Sequence, residues 1–334
     1  MPSKPTALNL PPLTKTAEGA QRRVGVELEM NGLELGQLSA LVAEHCGCTI
    51  EQTSRYERTL KGDPAGDWIV ELDSALLKKM GRTEHPEDPT SAEIVSSAED
   101  AIMWVAESLV PYELVSPPLP LDRLNIINEL IALLRDAGAK GTADRLTNAF
   151  GMQFNPEVPA TDARTLTAYL KAFLCLYDWI NQRASINFAR RVTTYVDPFP
   201  GAYVRKVTAT DYWPDLPTLI DDYLLHNPTR NRALDMLPLF RHLDEDRVLA
   251  HTQDELIKPR PTFHYRLPDC LIDQPGWDLT PAWNDWLEVE KLANDHERLQ
   301  GCCDAYQTYL GQGIGRLLDS WPEHLTRNWL PDVR

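Results

Sequence analysis

The sequence predicts an α+β fold in which a largely antiparallel sheet carries helices on one face. Several short segments alternate apolar and polar residues with a period of two, which is typical of strands with one buried face. Longer segments carry apolar residues at helical spacing. The strands are clustered and follow no regular strand–helix alternation, so their order favours a mixed fold over a doubly wound parallel sheet.

The N-terminal half supplies most of the predicted strands. The segment RRVGVELEM, Arg22–Met30, places its aliphatic residues on one parity and predicts the first strand. An amphipathic helix is predicted over Leu35–His45. Short strands joined by turns then follow at Thr49–Thr53, Arg55–Leu60 and Asp67–Leu72.

The remaining elements are predicted with the same two periodicities. Gly138 is a stop signal for the helix before it, and Pro117 and Pro118 end the strand at Val110–Ser116. The predicted elements are a charged surface loop at Lys78–Glu93, helices at Ser96–Ser108, Leu121–Ala137, Asp162–Arg183 and Leu216–His226, strands at Val110–Ser116, Thr147–Asn155 and Pro261–Leu267, and a tail over Pro281–Trp321 with two helices broken near Gly301.

Composition narrows the class of protein. The 334-residue chain has a formal net charge of −16, which disfavours a general nucleic-acid binder. It contains no apolar run of the roughly 18 to 20 residues that a membrane span requires. The six cysteines include no CxxC pair, so a zinc site is not expected, and reduced thiols in a cytoplasmic protein are the simplest interpretation.

Polar residues of several strands share one feature. Each occupies the parity opposite to the apolar residues of its own strand, and residues two apart lie on one face of a sheet. If the strands are neighbours, one sheet face packs under helices and the other is lined by carboxylates with some imidazole and amide groups. Such a set suits Mg²⁺ or Mn²⁺ rather than zinc. The residues are Glu27, Glu29, Asp73, Glu113, Asn155, His264 and Arg266.

A simpler interpretation of the same pattern remains open. A single strand with two glutamates two residues apart is usually an ordinary solvated face. The shared site depends on the adjacency of strands that lie far apart in the sequence.

The residues also resemble a known family. Gly25–Glu29, GVELE, is similar to the opening strand of the amidoligases and the glutamate–cysteine ligases, which are relatives of glutamine synthetase. WIVELDSAL at Trp68–Leu76 and YELVSPPL at Tyr112–Leu119 resemble later elements of that family, and PTFHYR resembles its late strand. The ordered set spans about residues 22–267.

The resemblance implies a glutamine-synthetase-like fold and an ATP-dependent, Mg²⁺- or Mn²⁺-requiring ligase that joins a carboxylate to an amine through an acyl phosphate. The implied metal ligands are Glu27, Glu29, Glu113, Asn155 and His264. Arg266 and Asp73 are the implied catalytic residues, Arg266 at the γ-phosphate and Asp73 at the incoming amine. Arg230 and Arg232 join Arg266 as residues that bind the nucleotide.

The resemblance also implies a domain organisation and a class of partner. Residues 1–21 form a flexible leader, 22–270 the catalytic domain with 185–231 as a substrate-pocket insertion, and 271–334 a helical segment packed on that domain. The substrates are carboxylates and amines that are small molecules, peptides or proteins. A glutamine-amidotransferase-like protein is an expected partner, and neither nucleic acid nor a membrane is.

Two departures from the family pattern keep other functions open. Gln153 and Asn155 replace a usual H-x-H pair, and His264 replaces a glutamate. Amides are weaker ligands than His or Glu for most divalent ions. A catalytically inactive relative that acts as a binding or scaffold module is therefore one alternative. A phosphotransferase of the same fold is another.

Overall fold

The structure, a computed structural model, describes residues 8–72, 110–142, 150–184, 197–312 and 320–333. In these residues nine strands form one sheet, whose strand pairs are antiparallel. The order is β2-β3-β4-β5-β1-β7-β9-β8, and β6 also pairs with β1. The strands are β1 (Arg23–Met30), β2 (Thr49–Ser54), β3 (Glu57–Lys61), β4 (Trp68–Leu72), β5 (Tyr112–Val115), β6 (Leu119–Pro120), β7 (Met152–Pro156), β8 (Leu234–Asp235) and β9 (His264–Tyr265).

Helices make up much of the remaining described chain. One short 3₁₀ helix, Leu121–Arg123, follows β6. The α-helices are α1 (Leu35–Cys46), α2 (Ile126–Asp136), α3 (Ala163–Arg183), α4 (Gly201–Val207), α5 (Leu216–His226), α6 (Leu237–Leu243), α7 (Glu245–Leu249), α8 (Thr280–Ala293), α9 (His296–Gly311) and α10 (Trp321–Asn328). The predicted α+β class with an antiparallel sheet is confirmed.

Helices pack on the apolar side of the sheet. The aliphatic residues of β1, from Val24 to Met30 at alternate positions, are buried. Phe154 of β7 packs against Trp283 of α8, with ring centroids 5.8 Å apart. Tyr265 of β9 packs against Trp286 of the same helix at 5.5 Å. The alternation that predicted the strands therefore also determines which side chains enter the core.

Three predicted boundaries were wrong. The helix predicted over Leu121–Ala137 begins at Ile126, because the preceding turn is a separate 3₁₀ helix. The strand predicted over Pro261–Leu267 contains two strand residues, since the prolines near its ends cannot donate to a sheet. The break predicted near Gly301 lies at residues 294–295, where the side chain of Asp295 caps α9.

Gly301 has a packing role instead. A Cβ atom at this position would lie 2.7 Å from the ring of Trp329. The glycine therefore allows α9 to approach the C-terminal segment closely.

Several predictions lie outside the described residues. These are the loop at Lys78–Glu93, the helix at Ser96–Ser108, Asp73 and the first three residues of the strand predicted over Thr147–Asn155.

A buried ion pair joins the start of β1 to the C-terminal helices. Nη1 and Nη2 of Arg22 donate to the two carboxylate oxygens of Glu290 in α8, each at 2.8 Å. The side chains are 2% and 0% exposed. Trp286 Nε1 and the Tyr169 hydroxyl donate to the same carboxylate at 2.9 and 3.1 Å. The charged groups are thus fully hydrogen-bonded, which offsets the cost of their burial.

The N-terminal segment from residue 8 onward is attached to the same region. Arg22 Nη1 donates to the carbonyl of Leu13 at 2.6 Å, and Trp283 Nε1 donates to the carbonyl of Asn9 at 2.9 Å. An isolated bridge pairs Lys15 with Gln21. These contacts place residues 8–21 beside the first strand.

In the part of the chain that the structure describes, no helix has both the length and the apolar composition needed to cross a membrane.

We expect Arg22→Met to lower the free energy of unfolding by about 3–5 kcal/mol, because it leaves the buried Glu290 carboxylate without its cation. Asp221→Asn is a matched control, since it removes a partner of Arg247 from a surface pair whose side chains are 50% and 32% exposed. That change should leave the free energy of unfolding close to that of wild type, because exposed ion pairs contribute little to stability. Urea unfolding measures both, and equal losses in the two variants would contradict the prediction.

Asp285 should make stability depend on pH. Burial raises its pKa from 3.8 to about 6, although Arg183 Nε, 2.8 Å from Oδ1, lowers it. Between these pH values the folded protein retains a proton that the unfolded chain has lost, so stability falls as pH rises. Wild type should lose roughly 2–3 kcal/mol relative to Asp285→Asn between pH 4 and pH 6.5 in urea unfolding. If the difference in unfolding free energy between wild type and Asp285→Asn did not change with pH, the raised pKa of Asp285 would be refuted.

Candidate functional site

Glutamates from four adjacent strands align on the polar face of the sheet. The register places Glu57 opposite Glu71, Glu71 opposite Glu113, and Glu113 opposite Glu29. Opposed residues of antiparallel strands have Cα atoms about 4.5–5.5 Å apart. Like charges at such positions repel, so the row requires cationic partners. We call Glu57, Glu71, Glu113 and Glu29 the glutamate row.

Gln153 connects the glutamate row to the late strand. Its Nε2 donates to Oε1 of Glu29 at 2.8 Å, and the backbone N–H of Gly151 donates to Oε2 of Glu29 at 2.7 Å. The other end of the amide, Oε1, lies 2.6 Å from Nε2 of His264. Because the amide oxygen accepts, His264 must carry its proton on Nε2.

Asn155 makes the corresponding contact with Glu27. Its Nδ2 donates to Oε1 of Glu27 at 2.8 Å, and its Oδ1 accepts from Nη2 of Arg260 at 2.8 Å. Arg260 Nη2 also lies 3.7 Å from the Glu27 carboxylate, and His264 Nε2 lies 3.8 Å from it. The structure thus brings Glu27, Asn155 and His264 together; their role as metal ligands stays a prediction.

Asp235 lies behind His264 and is completely buried. Its Oδ2 is 3.6 Å from Nδ1 of His264, and its Oδ1 accepts from the backbone N–H of Leu237 at 2.9 Å. Burial raises the pKa of Asp235 to about 6. Burial lowers the pKa of His264 well below its usual value, and the nearby arginines, Arg260 first, lower it further. His264 is therefore uncharged at neutral pH.

The three arginines predicted to bind nucleotide occupy different environments. Arg266 follows β9, and its Nη1 donates to the carbonyl of Arg230. Arg230 lies 3.9 Å from the carboxylate of Asp254. The guanidinium of Arg232 donates to Asn227, at 2.8 Å, and to the carbonyls of Pro198 and His226. Their role in nucleotide binding stays a prediction.

A cavity of about 960 Å³ opens beside Glu27 and Asn155. Its walls come from residues 10–23, from the segment after β5, and from residues 260–262. Of the predicted substrate-pocket insertion, the structure describes residues 197–231, and none of these lines the cavity. The cavity therefore reaches the polar face at the N-terminal half of β1.

The sequence analysis missed four members of this face. Glu57 and Glu71 could have been found by extending the alternation of β3 and β4, since they share the polar parity of their strands. Asp235 lies in a two-residue strand, which is too short to show a period. Arg260 lies in an irregular segment between two prolines, so no pattern indicated it.

The glutamate row offers carboxylate oxygens, the type of donor atom that hard divalent cations prefer. The contacts around Glu27 fit such an ion less well, since amide N–H groups point at its carboxylate and at that of Glu29. Within the described ranges, no three His, Cys, Asp or Glu side chains form a group that could hold a metal ion. Asp73 lies outside those ranges.

These features define an α+β protein with an antiparallel sheet and a polar, partly buried face that opens into a cavity. The sequence model of one family, described as "Putative amidoligase enzyme", matches residues 20–288. This match covers most of the chain, which therefore belongs to that family. Searches of curated proteins and of solved structures found no match.

We expect the His264 ring to remain neutral, with its proton on Nε2, between pH 8 and pH 6. Burial and the nearby arginines disfavour its charged form. Nitrogen chemical shifts of labelled histidine report protonation and tautomer, and His264→Gln assigns the signal. Gln153→Ala should alter the tautomer signal because it removes the acceptor. A titration midpoint above pH 6 would contradict this account.

Proposed function

We propose that the protein is an ATP-dependent ligase that joins a carboxylate to an amine. One observation carries this proposal. Two of the elements that resemble the family, Gly25–Glu29 and Tyr112–Leu119, contribute adjacent antiparallel strands with Glu29 directly opposite Glu113. Family membership supports a ligase, and this register supports a shared site on the polar face.

The reaction has two balanced steps. An oxygen of the substrate carboxylate attacks the γ-phosphorus of ATP, and ADP leaves, which gives an acyl phosphate. The amine then attacks the acyl carbon, phosphate leaves, and the amine loses a proton. Phosphorylation is needed because a carboxylate is a poor electrophile.

The chain's own residues have distinct tasks in this scheme. Glu29 and Glu113 of the glutamate row, together with Glu27, would hold Mg²⁺ or Mn²⁺, which neutralises phosphate charge when bound. The proposed role of Arg266 is to stabilise charge that develops on the transferred phosphoryl group. Neutral His264 would position the Gln153 amide and, through it, Glu29. Asp73 keeps the proposed role of receiving the proton of the amine.

A specific observation favours a second candidate function. The amides of Asn155 and Gln153 donate to Glu27 and Glu29, the carboxylates proposed to bind metal. A protein that has lost the metal would need such donors to satisfy these partly buried groups. The chain would then be a binding or scaffold module on a ligase fold.

Cellular location and partners belong to the same proposal. The six cysteines are free thiols, which supports a reducing cytoplasm. The substrates would be a carboxylate and an amine that are small molecules, peptides or proteins, and a glutamine-amidotransferase-like protein would be a partner. These assignments rest on the family resemblance.

Calorimetry of ATP binding with Mg²⁺ and then Mn²⁺ tests the proposal. We expect metal-dependent binding in wild type and a loss of about tenfold or more in Glu27→Gln, because one metal-binding charge is removed. Glu51→Gln is the matched control. It changes an exposed glutamate of the same sheet, on edge strand β2, and should bind as wild type does.

Two other results of this calorimetry would contradict parts of the proposal. No binding with either metal would refute the ligase and favour the binding module. Equal binding by wild type and Glu27→Gln would place the nucleotide away from the polar face.

A further inference from the structure

The floor of the cavity includes bare backbone at Gly25. Arg23, Gly25 and Glu27 alternate along one face of β1, and the middle position carries no side chain. Alternate residues of a strand are about 7 Å apart. A gap therefore separates the side chains of Arg23 and Glu27, with Asn155 of the neighbouring strand beside it.

Arg260 lines the cavity at the end of this floor that is nearer to Glu27. Its Nη2 bonds to Asn155 Oδ1, and within the described residues its buried Nε has no hydrogen-bond partner. The side chain is 31% exposed, so part of its guanidinium faces the cavity that it lines. A guanidinium with unused donors is suited to a carboxylate or a phosphate.

The other cations of the cavity differ in their availability. Arg123 is held by two hydrogen bonds to Asp63, at 2.7 and 2.9 Å. Arg23 lies at the far end of the floor and is exposed, and its guanidinium has no partner among the described residues. Among the described residues, Arg260 and Arg23 are the lining cations that no hydrogen bond to a carboxylate holds. Arg260 Nη2 lies 3.7 Å from the Glu27 carboxylate, and Asp122 and Glu157 also line the cavity.

We propose that this cavity binds the acid substrate, a carboxylic acid of peptide size, and that Arg260 binds a carboxylate group of that substrate. The inference rests on the ligase function proposed above. It assigns the acid to the N-terminal half of β1, next to Glu27, where the substrate carboxylate can meet the site proposed for phosphate transfer.

Size and lining support this assignment. A volume of about 960 Å³ is at the upper end of the range for small-molecule sites, roughly 300–1,000 Å³. It therefore accommodates more than a single free amino acid. Among the described residues no aromatic side chain lines the cavity, so this part of its wall offers no stacking surface for an adenine base.

Two randomised tripeptide mixtures test the proposal without ATP or metal. One has free carboxylates. In the other, C-terminal amides replace the terminal carboxylates, and Asn and Gln replace Asp and Glu. Thermal-shift titration compares their apparent affinities for the full chain. Wild type should prefer the carboxylate mixture by about tenfold or more, because a charge-assisted bidentate pair is lost in the neutral one.

The variants isolate the contribution of Arg260. Arg260→Gln should abolish the preference and Arg260→Lys should retain part of it, since lysine keeps the charge without the planar fork. Lys258→Gln removes an exposed charge from the same segment and should leave the preference intact. Arg23→Gln, at an exposed position, should give a smaller loss and remains informative if Arg260→Gln fails to fold.

Three outcomes of the peptide titrations would overturn the assignment of the cavity to the acid substrate. These are equal affinity of wild type for the two mixtures, absence of binding by either, and a preference that survives in folded Arg260→Gln. Competition between the carboxylate mixture and MgATP would assign the cavity to the nucleotide and also overturn it. A failure of ATP to bind at all, with the peptide preference intact, would instead refute the ligase reaction alone.

Discussion

The polar face depends on the register of β1. This strand pairs with β5, β6 and β7, so it fixes how all three present their side chains. Because side chains alternate, a shift of one residue would turn Glu27 and Glu29 toward the apolar core and Val26 and Leu28 toward the polar face. The ion pair between Arg22 and Glu290 acts at the residue just before the strand. It attaches that end of β1 to α8. Core packing and this ion pair therefore both stabilise the register of β1.

The two amides of β7 determine the electrostatic character of the site. In this structure they donate to the carboxylates of β1, and their oxygens accept from His264 and Arg260. Rotation of either amide would present an oxygen to a cation but would break both of its present bonds. Metal binding near Glu27 therefore competes with a hydrogen-bond network that is already satisfied. Glu29 of the glutamate row accepts from Gln153 and from the backbone N–H of Gly151, so a cation beside Glu29 meets the same competition.

Alternation within a strand predicted part of the face, but strand length did not decide which residues were found. Glu113 lies on four-residue β5, whereas Glu57 and Glu71 lie on five-residue β3 and β4. Alternation over β1 and β5 was sufficient to place Glu27, Glu29 and Glu113 on one side, and antiparallel pairing then brought them together. Arg260 could not be predicted, because its position follows from the loop that closes over β7 and not from any period. At Gly301 the sequence predicted a helix break that does not occur. The glycine lies inside α9 and permits close contact with Trp329. Local pattern indicates which face a residue occupies, whereas long-range packing decides what it touches.

Glu27 is the point at which the two halves of the polar face meet. On one side lies the glutamate row, where anionic groups require cations. On the other lies the cavity, which Arg260 and Arg23 line. The proposed reaction would place phosphate at the glutamate row and the substrate carboxylate in the cavity. It therefore needs an anionic site and a cationic site next to each other. Asn155 connects them, since it bonds to Glu27 and to Arg260 with opposite ends of one amide. A histidine at position 155 could bind a metal ion through one ring nitrogen. It could not then both donate a hydrogen bond to Glu27 and accept one from Arg260, as the amide of Asn155 does. Asn155 is therefore better suited to link Arg260 to Glu27 than to act as a second metal ligand.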